Sequence, residues 1–366
     1  MMRPCDLRSA TECGPTLLAV PGGGPYSRVL PRVEGPRPGW MVADLWRKYY
    51  ETANPPDGRA VLLRDATVLG PGIVMLPGNV LVLESLLNCW DIDRAPGLAR
   101  DAERRWCATD APQPPARWQG RFLLLRQMWD ENYGHWLIEV LPRLALLRDA
   151  EVLASCRALV SGFRAGDPDA PMGEVQDRTL GAYGFGPDRI RTMGWDPVTV
   201  PELVFVLPMT AQPWLKAPLV VDLLERLGQG IAAGDQDPGQ ERLYLRRAPA
   251  ARRRPTNEAA VEAMLTARGY GVITPGALGF PRQVAAFRSA RHVVATLGAE
   301  CANLVFAPRG VSLLGLAPPE MQDDFFYDLV SLKGGAYACL HGDADAPGMN
   351  ADFTPDLDRL NAMLPG

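Results

Sequence analysis

The feature that most narrows the fold of this 366-residue chain is the regular alternation of short β-rich runs and helical runs beyond residue 240. Strands are predicted at Arg242 to Arg246, Tyr270 to Ile273, His292 to Thr296 and Val311 to Leu316. Between them lie helices at Asn257 to Arg268 and Pro281 to Ser289, and a helix start near Glu300 to Leu304. A parallel neighbour needs a crossover of about a dozen residues, and the intervening helices supply it. The second half is therefore expected to be an α/β layer structure, a parallel sheet covered by helices on both faces.

The first half is less regular. Residues 1 to 40 are rich in Gly, Pro and Arg and are expected to form a poorly ordered or draping leader. Short runs at Ala60 to Leu63, Thr67 to Leu69, Ile73 to Leu76 and Val80 to Leu83, punctuated by Gly70-Pro71-Gly72 and Pro77-Gly78-Asn79, predict a β-meander. A strand at Arg121 to Arg126 leads into a helix at Trp136 to Leu147 that is apolar on most faces, and hence buried. Strands follow at Leu159 to Gly162, Arg189 to Met193 and Leu203 to Leu207, then a helix at Ala217 to Ile231. The breaker-rich segment Gly234 to Gly239 is the expected domain boundary, and the length suits about two domains. The resulting division is a leader (1–40), an N-terminal domain that includes the meander (41–233), a C-terminal domain (240–340) and a tail (341–366).

Composition removes several classes of function. Lys plus Arg number 38 against 42 for Asp plus Glu, a net charge of -4, so no global basic field exists to hold nucleic acid. No apolar stretch reaches the 18 or more residues of a membrane span, and Leu17 to Val20 is too short for the core of a signal peptide. The seven cysteines are widely spaced with no C-x-x-C, against a disulfide framework or structural zinc. A reducing, cytoplasmic location follows as the expectation, with the inner-membrane face as the peripheral variant. Asp91/Asp93 has the spacing of a divalent-metal pair, but the same spacing recurs at Asp167/Asp169, Asp235/Asp237, Asp343/Asp345 and Asp356/Asp358. Turn chemistry explains all five copies, and no metal is expected.

Three places carry chemistry. His135 stands in Asn132-Tyr133-Gly134-His135-Trp136, where strand and loop hand over to the buried helix, with Glu139 one helical turn further on. Such a histidine serves as a general base or as a phosphate holder, and Tyr133 and Trp136 offer rings for stacking on a sugar or base, or for core packing. Arg246, Arg247, Arg252, Arg253 and Arg254 follow a parallel strand and suit phosphate oxygens. Leu297-Gly298-Ala299-Glu300 is a small-residue turn between strand and helix, placed so that backbone N–H groups face an anion.

Asn132-Tyr-Gly-His135-Trp-Leu-Ile-Glu139-Val-Leu-Pro142-Arg143-Leu resembles the signature N-[YF]-G-H-W-x-x-E-x-L-P-R-L of glycosyltransferase family 61. Tyr244-Leu-Arg-Arg247, Arg253-Arg254-Pro-Thr-Asn257-Glu258, Gln283 and Leu297-Gly298-Ala299 with Asn303 and Phe306-Ala-Pro308 are similar to its later motifs. The resemblance, from about Asp65 to about Pro319, implies a GT-B-like α/β fold: two Rossmann-like domains facing a cleft, with a short β-rich N-terminal segment. It implies inverting, metal-independent transfer of a sugar from a nucleoside-diphosphate donor to an acceptor hydroxyl, without a cofactor, in surface polysaccharide or glycan synthesis. On that reading His135 is the first candidate base, with Glu139 as its orienting partner or as the base itself, and Asn132, Tyr133 and Trp136 lie on the acceptor side. Arg247, Arg254, Asn257, Glu258, Gly298, Ala299, Glu300 and Asn303 serve the donor, Asn303 either fixing the turn or contacting the ligand. The chain departs from the family at Leu297, where a His is usual, and at Gly315, where a Glu is usual. These departures leave a second reading open, a catalytically silent nucleotide-binding or scaffold protein.

Overall fold

The computed structural model describes residues 2–89, 92–110, 115–148, 151–161, 171–211, 215–231, 239–248, 251–322 and 324–365. They form two compact units, one of Met1–Gly22 with Pro56–Ala211 and one of Gly23–Pro55 with Gln212–Gly366. Residues 234–238 of the expected boundary segment Gly234 to Gly239 lie outside the described residues, as do Asp91, Asp167, Asp169, Asp235 and Asp237.

In the first unit the long strand β1 (Gly58–Leu69) is the spine. β2 (Ile73–Leu76) and β3 (Val80–Val82) fold back from it as an antiparallel meander. The two runs expected at 60–63 and 67–69 are one strand. Asp65 between them adopts φ 48° opposite Pro201, which has no N–H for the ladder, and pairing resumes in the same register on either side. On the other edge β1 meets β7 (Val198–Val206) antiparallel. Beyond it lie β4 (Arg121–Leu124), β5 (Cys156–Ser161) and β6 (Ile190–Met193), all parallel. The spatial order is thus β6-β5-β4-β7-β1-β2-β3, with Asp6–Arg8 beside β3 and Thr16–Val20 along β1. Val61, Leu63, Val68, Phe122, Leu159, Val200 and Leu203 form the core on one face. Glu84 accepts from Ser9 Oγ at 2.6 Å and from the Ala10 amide at 2.8 Å, so its carboxylate secures the N-terminal residues to this sheet.

The second unit holds the regular alternation. β8 (Arg242–Leu245), β9 (Gly271–Ile273), β10 (His292–Thr296), β11 (Ser312–Ala317) and β12 (Ala336–His341) are all parallel, in the order β9-β8-β10-β11-β12. Arg32–Glu34 adds a sixth strand beside β12. Helices Glu258–Ala267, Phe280–Arg288 and Asp324–Leu332 supply crossovers, as the spacing required. β10 and β11 are buried along nearly their whole length, as strands covered on both faces must be. Helix Gly39–Tyr50, β12 and helix Leu357–Met363 in the tail are not among the elements expected from the pattern. That last helix is capped by Asp356, whose Oδ1 accepts from the amides of Asp358 and Arg359. Phe353, Leu360 and Met363 enter the core, each such side chain contributing about 1.5–3 kcal/mol when fully buried.

Residues 23–55 are secured to the second unit by buried charge. Asp328, with no exposed surface, accepts from Arg28 Nε at 2.9 Å and from the Tyr26 hydroxyl at 2.6 Å, and Lys216 Nζ lies 3.5 Å from its other oxygen. Lys48 donates to Asp324 in the same region. A buried carboxylate beside two buried cations cannot be removed cheaply, because the cations are left without water or counterion. Replacing Asp328 by Ala is expected to lower the stability of this unit by roughly 3–5 kcal/mol, measured as a shift in the urea midpoint. Arg291→Ala, on an exposed pair with Glu241 of the same unit, is expected to leave that midpoint nearly unchanged.

Candidate functional site

In an α/β sheet, ligands approach the carboxyl ends of strands at the point where the strand order reverses. In the first unit β4 lies between β5 and β7, and the chain leaving its carboxyl end carries Arg126, Gln127, Trp129 and Asp130. The meander turn supports this loop. Gly72, at φ 104°, lies against the Arg126 carbonyl so closely that a Cβ would overlap it.

Asn132 caps the helical stretch that follows, its Oδ1 accepting from the Gly134 amide at 2.9 Å. The helix expected at Trp136 to Leu147 is present but not uniformly α. Tyr133–His135 form its first turn, Trp136–Val140 are π-helical, and Leu141–Leu146 return to α geometry. Pro142 has no amide to donate to the carbonyl four residues back, which accounts for the loosened turn before it.

Within that turn His135 Nδ1 lies 3.2 Å from Glu139 Oε1. The other carboxylate oxygen of Glu139 accepts from Gln127 Nε2 at 2.6 Å, and Arg143 donates to Gln127 Oε1. A chain of hydrogen bonds thus runs Arg143–Gln127–Glu139–His135, closed off from solvent except at the imidazole. A Glu139 carboxylate accepting from Nδ1–H would leave the lone pair of a neutral imidazole on Nε2. Beside the chain Arg126 donates to Asp130; burial pushes that carboxyl up to about 7 although Arg126 pulls it down. Burial also lowers Arg143, to about 10. Gln127, Arg126 and Asp130 belong to none of the motifs that mark the site in the sequence. The strand expected to run to Arg126 ends at Leu124, and a polar run after an apolar strand is the signal that would have found them.

The acceptor-side assignments divide. Trp136 is corrected: its ring is wholly buried and its Nε1 donates to Thr179 Oγ1 at 3.1 Å, so it offers no face to a ligand. Asn132 is a cap, and Tyr133 is half-buried. The aromatic ring beside the imidazole is Trp129, with centroids 5.1 Å apart and an interplanar angle of 64°.

In the second unit the order reverses between β8 and β10, and the two carboxyl ends bring Arg247 and Leu297-Gly298 together. Arg247 Nη1 lies 3.4 Å from the Leu297 carbonyl and 3.8 Å from Glu300 Oε2. The guanidinium crosses Gly298 so closely that a Cβ there would displace it. Ala299–Phe306 form a 3-10 helix opening at this turn, its first amides beside Arg247. Arg247 Nε and Thr296 Oγ1 are buried at these strand ends without a hydrogen-bond partner among the described residues. Buried polar atoms are normally paired, so these two call for a partner such as water or a ligand oxygen.

Arg254 Nη2 lies 3.2 Å from Glu258 Oε2, and burial together with Glu258 raises the Tyr244 hydroxyl. The loop carrying Arg254 is held by the tail: its amide donates to Asp352 Oδ1 at 2.7 Å, and its carbonyl accepts from Phe353. Asn257 belongs to that joint, donating to the Pro355 carbonyl at 3.0 Å. Asn303 is fully buried and bonds the Glu300 carbonyl and Gln283, so of its two expected roles the structure shows the fixing of the turn.

The two departures from the family pattern touch each other. Leu297 lies over β11 at Gly315, where a Cβ would come within 2.5 Å of Leu297 Cδ2. A larger residue at 315 would press on Leu297, so the two departures share one space. Among the described residues no group of three or more His, Cys, Asp or Glu is placed to hold a metal ion, and no helix is long and apolar enough to cross a membrane.

Comparison with curated proteins returns no match. The family model described as Glycosyltransferase 61 matches residues 133–314, opening two residues before His135 and closing one residue short of Gly315. Both strand-end clusters hold residues of the matched stretch, and the chain carries a glycosyltransferase family 61 domain over residues 133–314, which supports glycosyl transfer between a sugar donor and an acceptor.

Proposed function

We propose that the chain is an inverting, metal-independent glycosyltransferase of GT-B type that moves a sugar from a nucleoside diphosphate to an acceptor hydroxyl, in the synthesis of a surface polysaccharide or other glycan. The observation that carries this is the His135–Glu139 pair, a histidine part-open to solvent whose inner nitrogen is fixed by a buried carboxylate. Inverting displacement at an anomeric carbon needs one base, to take the hydroxyl proton as the new bond forms, and positive charge where the diphosphate departs. His135 Nε2 takes the proton. Glu139, too deeply buried to meet an acceptor itself, holds the ring and stabilises the imidazolium, while Gln127 and Arg143 keep the carboxylate in place.

Arg247 and Arg254 meet the diphosphate, with the amides of Gly298 to Glu300. Both arginines are already oriented by carboxylates, Glu300 and Glu258. At 3.8 Å the contact with Glu300 is loose enough to yield to a phosphate oxygen, which also offers a partner to the buried Nε. The alternative, a nucleotide-binding protein without turnover, is favoured by Leu297, an apolar side chain placed directly before the anion-facing turn.

His135→Ala is expected to lower turnover of a nucleotide-sugar by 10²–10⁴-fold with the melting temperature unchanged, and wild-type turnover is expected to persist in chelator. Full activity in a folded H135A protein would remove the base assignment; nucleotide binding without any product in the wild type would favour the silent alternative. Arg247→Ala is expected to abolish the thermal stabilisation that saturating nucleoside diphosphate gives the wild type. An unchanged shift would place the anion elsewhere. Gly315→Ala is expected to destabilise by about 1–3 kcal/mol through overpacking against Leu297. The cost should be largely absent when added to Leu297→Ala, so a double-mutant cycle without coupling would show that the two positions do not share that space.

A further inference from the structure

We propose that Trp129 is the stacking platform for the pyranose ring of the acceptor sugar, an inference that rests on the glycosyl-transfer reading and adds a ligand contact to it. Trp129 sits at φ 61°, a left-handed conformation that a bulky side chain adopts only when its surroundings impose it. Those surroundings are rigid. The Trp129 carbonyl accepts from the Asn132 amide at 2.9 Å, Asp130 is locked to Arg126, and Gln127 is held between Glu139 and Arg143. The strained backbone turns the indole outward: the residue is 46% exposed, whereas Trp136, seven residues on, is fully buried.

The indole stands edge-on to the imidazole, with centroids 5.1 Å apart. A large ring about half exposed, in a costly conformation and edge-on to the part-open imidazole, is placed to meet a ligand at the same point. The C–H face of a pyranose is the apolar surface that such a ring recognises. A sugar seated there brings its hydroxyl groups to the rim of the imidazole, which the proton transfer requires. Trp129, on the preceding loop, thereby takes the stacking role that was one of two expected for Tyr133 and Trp136.

The test is saturation-transfer NMR with methyl β-D-glucopyranoside, methyl β-D-galactopyranoside and methyl β-D-xylopyranoside, on the full chain and its W129A, W129F, W129G and W40A variants. Trp40 is an exposed tryptophan of the other unit and serves as control. Transfer to the C–H protons of one sugar face is expected in the wild type, W129F and W40A, and to fall about tenfold in W129A and W129G. W129G is also expected to melt above W129A, because glycine adopts positive φ without strain. This separates loss of binding from loss of fold. Equal transfer in W129A, or no transfer to any pyranoside in the wild type, would overturn the platform. Turnover of nucleotide-sugar, followed in parallel, judges the glycosyl-transfer reading independently: turnover with unaltered sugar binding in W129A defeats only the platform, and pyranoside binding lost in W129A without any turnover defeats only the transfer.

Discussion

A charged side chain taken out of water has to meet an opposite charge or several hydrogen bonds, and this constraint shapes both units more than any single apolar contact. In the first unit it produces the ladder Arg143–Gln127–Glu139–His135 and the adjoining Arg126–Asp130 pair. Glutamine suits the middle of that ladder because its amide donates to the carboxylate on one side while its carbonyl accepts from the guanidinium on the other. In the second unit the same constraint ties Tyr26 and Arg28, far upstream in sequence, to Asp328.

Backbone irregularity gathers where these groups are presented. The π-helical turn at Trp136–Val140 carries Glu139, Pro142 follows it, and Trp129 occupies left-handed space three residues before the helix cap. Glycines mark the corresponding points of close approach, Gly72 under the Arg126 carbonyl and Gly298 under the Arg247 guanidinium. Each irregularity is local, and each lies at or beside the carboxyl end of a strand. The regular sheet supplies a rigid frame, and the departures from regularity aim the side chains.

The α/β class of the second half was legible because strand and helix periods differ and the segments alternate at crossover length; β10 was located to the residue. The strand-end positions of His135, Arg247 and Gly298 were legible for the same reason. The front half was harder. Asp65 interrupts β1 without ending it, so pattern alone divided one strand into two. The N-terminal residues look like a leader because they are rich in Gly and Pro, yet Thr16–Val20 and Arg32–Glu34 pair with the sheets of different units. Short strands of that kind take their conformation from a partner, and the partner is not local.

By itself the sequence determined the alternation, the motif that spaces His135 and Glu139 one turn apart, and the arginines after β8, because all three depend on neighbours within a few residues. Only tertiary structure decided that Trp136 is buried while Trp129 faces water, that Gln127 joins Glu139 to Arg143, and that Leu297 fills the space above Gly315. The reason is physical: exposure, hydrogen-bond partnership and shared volume belong to pairs of residues brought together from distant points of the chain, and local periodicity carries no information about which pairs those are.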